Sequence, residues 1–357
     1  MDRSHYPALA SSKLIHLDAS AAFPLHQDVI AAVNKAMLHT LGASDKAQYG
    51  GALDVSRQVK QIRQEIADYI DADVSEIFLV ASATDAVRTI GTMWAKNAKV
   101  LYSPEDHSRI IYEIAKVAES TCSLAYNQSG LYEYGSVAED RPDVAILSHM
   151  HHVYGSDNDI QIARSRLPNT KIIVDASQSI SRIPVNVRVM DCDALFFSSQ
   201  KLGGIAGVGV LYIAKKHHLV IERTYVEPNT LPIMPLISLQ AAIQLIAQET
   251  LRNISLHLTK LTGGLLDSLS HLPRVHFTKG PAFPSSMCTG DGIVSFSVEG
   301  YSSQDIAMIL ADQGIQVRAG DHCVDPTTVD QDVVRISMYQ YTTKEELDKL
   351  VEIISTL

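Results

Sequence analysis

From Glu76 to Ile213 the chain alternates short apolar runs with amphipathic stretches. Glu76-Ile-Phe-Leu-Val80, Lys99-Val-Leu-Tyr102, Val144-Ala-Ile-Leu147, Lys171-Ile-Ile-Val174, Ala194-Leu-Phe-Phe197 and Val208 to Ile213 carry few polar positions. That is the pattern of strands buried on both faces. Helices are predicted from about Thr84 and from about Ser108. Further upstream, Val29, Ile30, Val33 and Met37 recur at helical spacing and predict a helix over 27–40; Val55 to Ile70 reads as a charged amphipathic helix. The alternation predicts an α/β protein with a mostly parallel sheet covered by helices. Ligands of such sheets sit beyond the carboxyl ends of the strands, so the turns that follow them are where chemistry is expected.

Beyond the sheet, a long helical stretch runs over 236–271. Strand 292–298, helix 303–313, strand 315–318 and helix 343–356 then form a smaller α/β unit. At 357 residues the chain is too long for one core. The expected division is an N-terminal arm over 1–20, a large domain over 21–250 and a small domain over 251–357. The formal net charge of −10 argues against nucleic acid and anionic membranes as partners. No run of 18 apolar residues appears, and Met1-Asp-Arg-Ser-His-Tyr-Pro lacks an apolar signal region, so a cytoplasmic location is expected. Cys122, Cys192, Cys288 and Cys323 are widely spaced, which suits free thiols better than disulfides or zinc.

Two strand ends carry the strongest chemical signal. Lys171-Ile-Ile-Val-Asp175-Ala-Ser-Gln178 ends in a carboxylate, and Ala194 to Phe197 leads into Ser198-Ser-Gln200-Lys201 with glycines after it. A lysine at the end of a buried strand must be neutralised, paired or covalently used. A carboxylate at the same level can hold a protonated ring nitrogen. Together they point to pyridoxal 5'-phosphate (PLP) linked to Lys201 as a Schiff base, with Asp175 on the pyridine nitrogen. Ala83 and Thr84, in the turn after Val80, offer backbone N–H groups to its phosphate, and Ser198 adds a donor. Gln178 is placed to reach the ring's phenolic oxygen, and His107 to stack on its face. His149, His151 and His152 form a dense cluster without a nearby Asp, Glu or Cys at ligand spacing. A polar rim is expected there, with His152 toward the cofactor and no metal.

In the C-terminal unit, Val317-Arg318-Ala-Gly-Asp321-His322-Cys323-Val-Asp-Pro326 sets a cysteine on a loop after a strand. Arg318 and His322 nearby favour its thiolate. Arg335 interrupts an apolar strand, Val333-Val-Arg-Ile-Ser-Met-Tyr339, and its planar fork suits a substrate carboxylate.

In this order, these residues resemble the class V aminotransferase family of fold-type I PLP enzymes, and within it the SufS-like (group II) cysteine desulfurases. The resemblance runs from about Leu17 to Leu350. Leu17-Asp18-Ala-Ser-Ala-Ala-Phe-Pro24 is similar to the family's opening motif, Ala83-Thr84 to its phosphate turn, Asp175-Ala-Ser-Gln178 to its Asp-x-x-Gln and Ser198-Ser-Gln-Lys201 to its Ser-x-His-Lys. Asn229-Thr230-Leu-Pro is similar to a segment whose threonine reaches the phosphate in the partner subunit, which implies a homodimer. The Cys323 loop resembles the catalytic loop and the Arg335 strand the carboxylate-binding segment.

The implied activity moves sulfur from L-cysteine to a persulfide on Cys323, releases alanine and hands the sulfur to an acceptor protein. Gln200 replaces the family's histidine before the lysine and removes a usual phosphate contact. Asp321 replaces the first histidine of Gly-His-His-Cys and puts a negative charge near the thiol, which disfavours the thiolate. His152 stands where an asparagine usually contacts the ring, and the stretch from Ile213 to Thr230 is shorter than usual. These departures motivate a second class V reaction, namely C–S or C–Se lysis, another β-elimination or a transamination. A non-catalytic scaffold is a third, against which Lys201, Asp175 and Arg335 together speak.

Overall fold

The computed structural model describes residues 3–21, 23–44, 47–135, 137, 141–220, 223–279, 292–325 and 332–357. Ala22, Cys288 and Pro326, named above, lie outside them. The apolar runs form strands β1 (Ile77–Val80), β2 (Lys99–Tyr102), β3 (Ser120–Ser123), β4 (Val144–Ser148), β5 (Lys171–Asp175), β6 (Ala194–Ser198) and β7 (Gly209–Ile213). They assemble as one seven-stranded sheet in the order β1-β7-β6-β5-β4-β2-β3. β7 runs antiparallel to both its neighbours, and the other pairs are parallel. The sheet is mostly parallel, as expected, and the one antiparallel strand β7 makes it mixed. β3, Ser-Thr-Cys-Ser and largely exposed, has no apolar run to announce it.

Apart from β3, the strands are buried on both faces, and alternate residues feed separate cores. Leu195 and Phe197 of β6 join one apolar cluster, Ala194 and Phe196 the other. Burying a side chain such as Phe196 contributes about 1.5–3 kcal/mol, so a one-residue register slip would reverse both faces at once. Helices α1 (Gln27–His39), α2 (Gly50–Ile70), α3 (Ala83–Ile90) and α4 (Ser108–Ala115) follow in the first part of the chain. α3 and α4 start directly after β1 and β2, which leaves their N-termini at the strand ends.

The helical stretch expected over 236–271 is two helices, α5 (Ile233–Glu249) and α6 (Leu251–Ser270). Thr250 breaks it with φ 61°, and its hydroxyl caps α6 by accepting from Asn253 N–H at 3.3 Å. The apolar periodicity continues through the break, so the pattern alone hides it. Strands β8 (Val275–Phe277), β9 (Ile293–Val298), β10 (Arg318–Gly320) and β11 (Val333–Ser337) form an antiparallel sheet in the order β8-β9-β11-β10. Helix α7 (Ser303–Asp312) packs on this sheet, and α8 (Lys344–Ser355) packs against α6. The strand expected over 315–318 is divided. Ile315–Gln316 pairs in parallel with Ile15–His16 of the arm, and Arg318 begins β10. The arm continues to Asp18, which bridges to Ser337. No described helix is long and apolar enough to cross a membrane.

Candidate functional site

The carboxyl ends of β1, β2, β4, β5 and β6 surround a cavity of about 220 Å³. Its lining includes Ala83, Thr84, His107, His152, Asp175, Gln178, Ser198, Gln200 and Lys201. The candidates chosen strand by strand therefore converge on one place. Thr230 does not line it and is exposed.

At one end of the cavity, β1 turns into α3. Ser82 caps the helix by accepting from Asp85 N–H at 3.1 Å, and the Asp85 carboxylate accepts from Ala81 N–H at 3.1 Å. Ala83 and Thr84 occupy the first turn, whose N–H groups have no partner within the helix. Gly209 opens β7 directly against this turn. A Cβ there would lie 2.6 Å from the Ser82 carbonyl carbon, so only glycine lets the two backbones approach.

The middle of the cavity holds the charged groups. Lys201 Nζ donates to the Ser20 carbonyl, and Gln178 Nε2 donates to the same oxygen at 3.2 Å. Burial, and then the positive charge of Arg335, bring the Lys201 amine down to about 8, against the pull of Asp175 and Asp18. Asp175 Oδ1 accepts from Ser177 N–H at 2.8 Å. Burial raises its carboxyl above the usual range, opposed mainly by Ser177. His107 caps α4, its Nδ1 accepting from Arg109 N–H at 3.3 Å. Burial lowers its pKa, with Asp175 opposing, so it is a neutral ring with its proton on Nε2. This donor set fits PLP. It offers unspent amides for an anion, a carboxylate for a ring nitrogen, a flat neutral imidazole and an amine that is readily deprotonated.

The histidine cluster is not a continuous rim. His151 is fully buried, stacks on Tyr154 at 4.0 Å, and its Nε2 donates to the Glu105 carbonyl at 2.9 Å. His149 is buried as well, and burial holds its pKa down at about 4. Only His152 lines the cavity. Its Nε2 is already spent on the His322 carbonyl at 3.0 Å. Rather than pointing wholly at the cofactor site, His152 ties that site to the cysteine loop.

Through this tie the second half of the site is joined on. Arg335 is 3% exposed. Its Nη1 donates to the His152 carbonyl at 3.0 Å, its Nη2 to the Asp18 carboxylate at 3.1 Å, and its Nε has no partner among the described residues. Two of five N–H groups are thus engaged, which leaves enough for a bidentate carboxylate. Arg318 lies opposite Arg335 across the β10–β11 pair, and Arg335 is close enough to Cys323 for their charges to interact. The Cys323 carbonyl accepts from Ser108 N–H at 2.8 Å, at the start of α4. His322, expected to favour the thiolate, cannot do so as a cation. It is buried with its Nε2 on the Val333 carbonyl at 3.0 Å, and its pKa lies near 4 through burial and then Arg335.

Asp18 and Ser20 were the site residues without an assigned role. The available signal was a carboxylate directly after Ile15-His-Leu17. What it lacked was a partner, because Arg335 lies 317 positions away.

Comparison with known proteins follows the same lines. The pattern of the aminotransferase class-V family matches residues 15–350. A cysteine desulfurase of Cronobacter sakazakii is 25% identical over 98% of this chain and 95% of its own. A probable cysteine desulfurase of Halalkalibacterium halodurans is 28% identical over 96% and 92%. The apo structure of a cysteine desulfurase from Thermococcus onnurineus superposes with a TM-score of 0.90 at 21% identity, covering 99% of this chain and 96% of that one. The Escherichia coli cysteine desulfurase CsdA, in its S-sulfonic acid form, gives 0.84 at 22% identity, covering 99% and 96%.

Proposed function

The chain belongs to the aminotransferase class-V family, and from that membership we propose that it is a PLP-dependent cysteine desulfurase. One observation carries the proposal. The His152–His322 and Arg335–His152 hydrogen bonds lock the Cys323 turn and the arginine onto the wall of the Lys201 cavity. The long, nearly full-length similarity to proteins named cysteine desulfurase supports the same reading. The domain division expected from the sequence, with its arm over 1–20 and boundary after 250, goes with it.

When bound, PLP supplies an electron-poor ring that draws electrons from bonds at the substrate's α-carbon. Arg335 would take the α-carboxylate of L-cysteine and so orient the substrate. Lys201, whose amine is half-deprotonated near pH 8, carries the α-proton. Asp175 would hold the ring-nitrogen proton, His107 would cover a ring face, Ala83, Thr84, Ser198 and Gln200 would hold the phosphate, and Gln178 would serve the ring oxygen. The Cys323 thiolate attacks the substrate sulfur. The carbon–sulfur bond breaks, a persulfide stays on Cys323, and alanine leaves after its β-carbon has gained a proton. A thiol acceptor protein then takes the sulfur. Exposed Thr230 suits a contact across a homodimer.

The test is mass spectrometry after incubation with L-cysteine. A sulfur adduct of Cys323 with stoichiometric alanine is expected, and Cys323→Ala is expected to form neither. Pyruvate and ammonia in place of alanine would replace this reading with β-elimination on the same scaffold.

A further inference from the structure

His322 and Cys323 have φ values of +54° and +66°. Two successive non-glycine residues in the left-handed region crowd each Cβ against the next carbonyl, and such a turn persists only where its surroundings hold it. Four bonds around it come from the rest of the fold or from the turn backbone. The His322 carbonyl accepts from the His152 ring at 3.0 Å, and the His322 ring donates to the Val333 carbonyl at 3.0 Å. The Cys323 carbonyl accepts from Ser108 N–H at 2.8 Å, and Val324 N–H donates to the Asp321 carbonyl at 3.0 Å. Cys323 N–H donates to the side chain of Asp321, at 3.0 Å.

We propose that Asp321 is a positioning residue, whose carboxylate secures the left-handed turn that presents the Cys323 thiol. The proposal rests on the desulfurase reading of Cys323 and concerns how the thiol is held. It reverses the expectation drawn from the sequence, in which Asp321 was a charge that works against the thiol. The histidine usual at this position in the resembled family is no obstacle. His26, His107 and His151 of this chain each accept, through Nδ1, the N–H two residues further on, at 3.2, 3.3 and 3.2 Å. Asp321 makes that same bond to the second residue after it. Aspartate and histidine are therefore alternative acceptors for one turn, and aspartate also tolerates turn geometry well.

The experiment compares Asp321→Ala, Asp321→Asn and Asp321→His in the holoenzyme. It measures persulfide formation on Cys323, KM for L-cysteine and the rate of Cys323 alkylation by iodoacetamide. Loss of a hydrogen bond of this kind corresponds to about a tenfold effect. Asp321→Ala is expected to slow persulfide formation about tenfold with KM within about twofold, while Asn and His stay within about threefold of the parent. Full activity in Asp321→Ala would overturn the proposal. So would an Asn variant as slow as Ala, which makes charge the active property, or a faster Asn variant with an alkylation profile shifted to lower pH. Asp321 is exposed, and thermal melting checks that each variant folds. Should Ala fail to fold, the Asn and His variants still decide. If the parent forms no persulfide, the desulfurase reading fails, and alkylation rates across the series still report on the turn.

Discussion

On the cavity side, Ala83, Thr84, His107, Asp175, Gln178 and Lys201 each lie within a few residues of the strand that delivers them. On the cysteine side, Asp18, His152, His322, Cys323 and Arg335 come from four separate segments, and the pair that sets the arginine spans 317 positions. The first half is an array of turns on a rigid sheet. The second is a network in which each polar group rests on another. Substitutions in the array should act locally and add, and substitutions in the network should couple.

The largest effect tests the array. Lys201→Ala removes the amine that carries the proton, and a fall of about 10²–10⁴-fold in alanine production is expected. Melting temperature should hold or rise, because a buried amine is lost. A large fall in stability would show that Lys201 anchors the arm through Ser20 more than it serves chemistry.

The next effect tests the network. Asp18→Asn keeps the shape of the Arg335 partner but removes its charge. A rise in KM for L-cysteine of about tenfold is expected, as for one charged hydrogen bond. Combined with Arg335→Lys, which itself cannot restore a planar fork, the two effects should fall well short of adding. Simple additivity would make this side as modular as the other.

The smallest effect is a pH dependence. The folded-state pKa of Lys201, about 8, lies below the ordinary lysine value of 10.5. Between those values the unfolded chain binds more protons than the folded one, so stability of the cofactor-free protein rises with pH through that window. Below it, the cost of burying the charged amine is fully present. Denaturant titrations from pH 7 to 11 should show this rise, and Lys201→Met should flatten it.

The same contrast decides what the sequence discloses. Apolar runs ending in Asp175 and in Ser198-Ser-Gln-Lys201 locate the cavity because strand, turn and functional group are contiguous. The Thr250 break is hidden because a single left-handed residue leaves the apolar periodicity intact. The neutral state of His322 is hidden because burial under Arg335, not its neighbours in sequence, determines it. The antiparallel course of β7 is equally silent, since a strand buried on both faces has the same composition in either direction. Asp321 was visible as a departure, but its bond to Cys323 N–H depends on backbone angles that composition does not report.

The pairing of Ile15–His16 with Ile315–Gln316, and of Asp18 with Ser337, bears on how the protein is made. A ribosome adding about 5–20 residues per second needs about 15–60 s to travel between those partners. The large sheet, complete at Ile213, can fold within that interval and Ser20 can meet Lys201 and Gln178, but Asp18 still lacks Arg335 and Ser337. Completion of the site is therefore deferred until the segment from Ile315 to Ser337 has been made and the arm can pair with it.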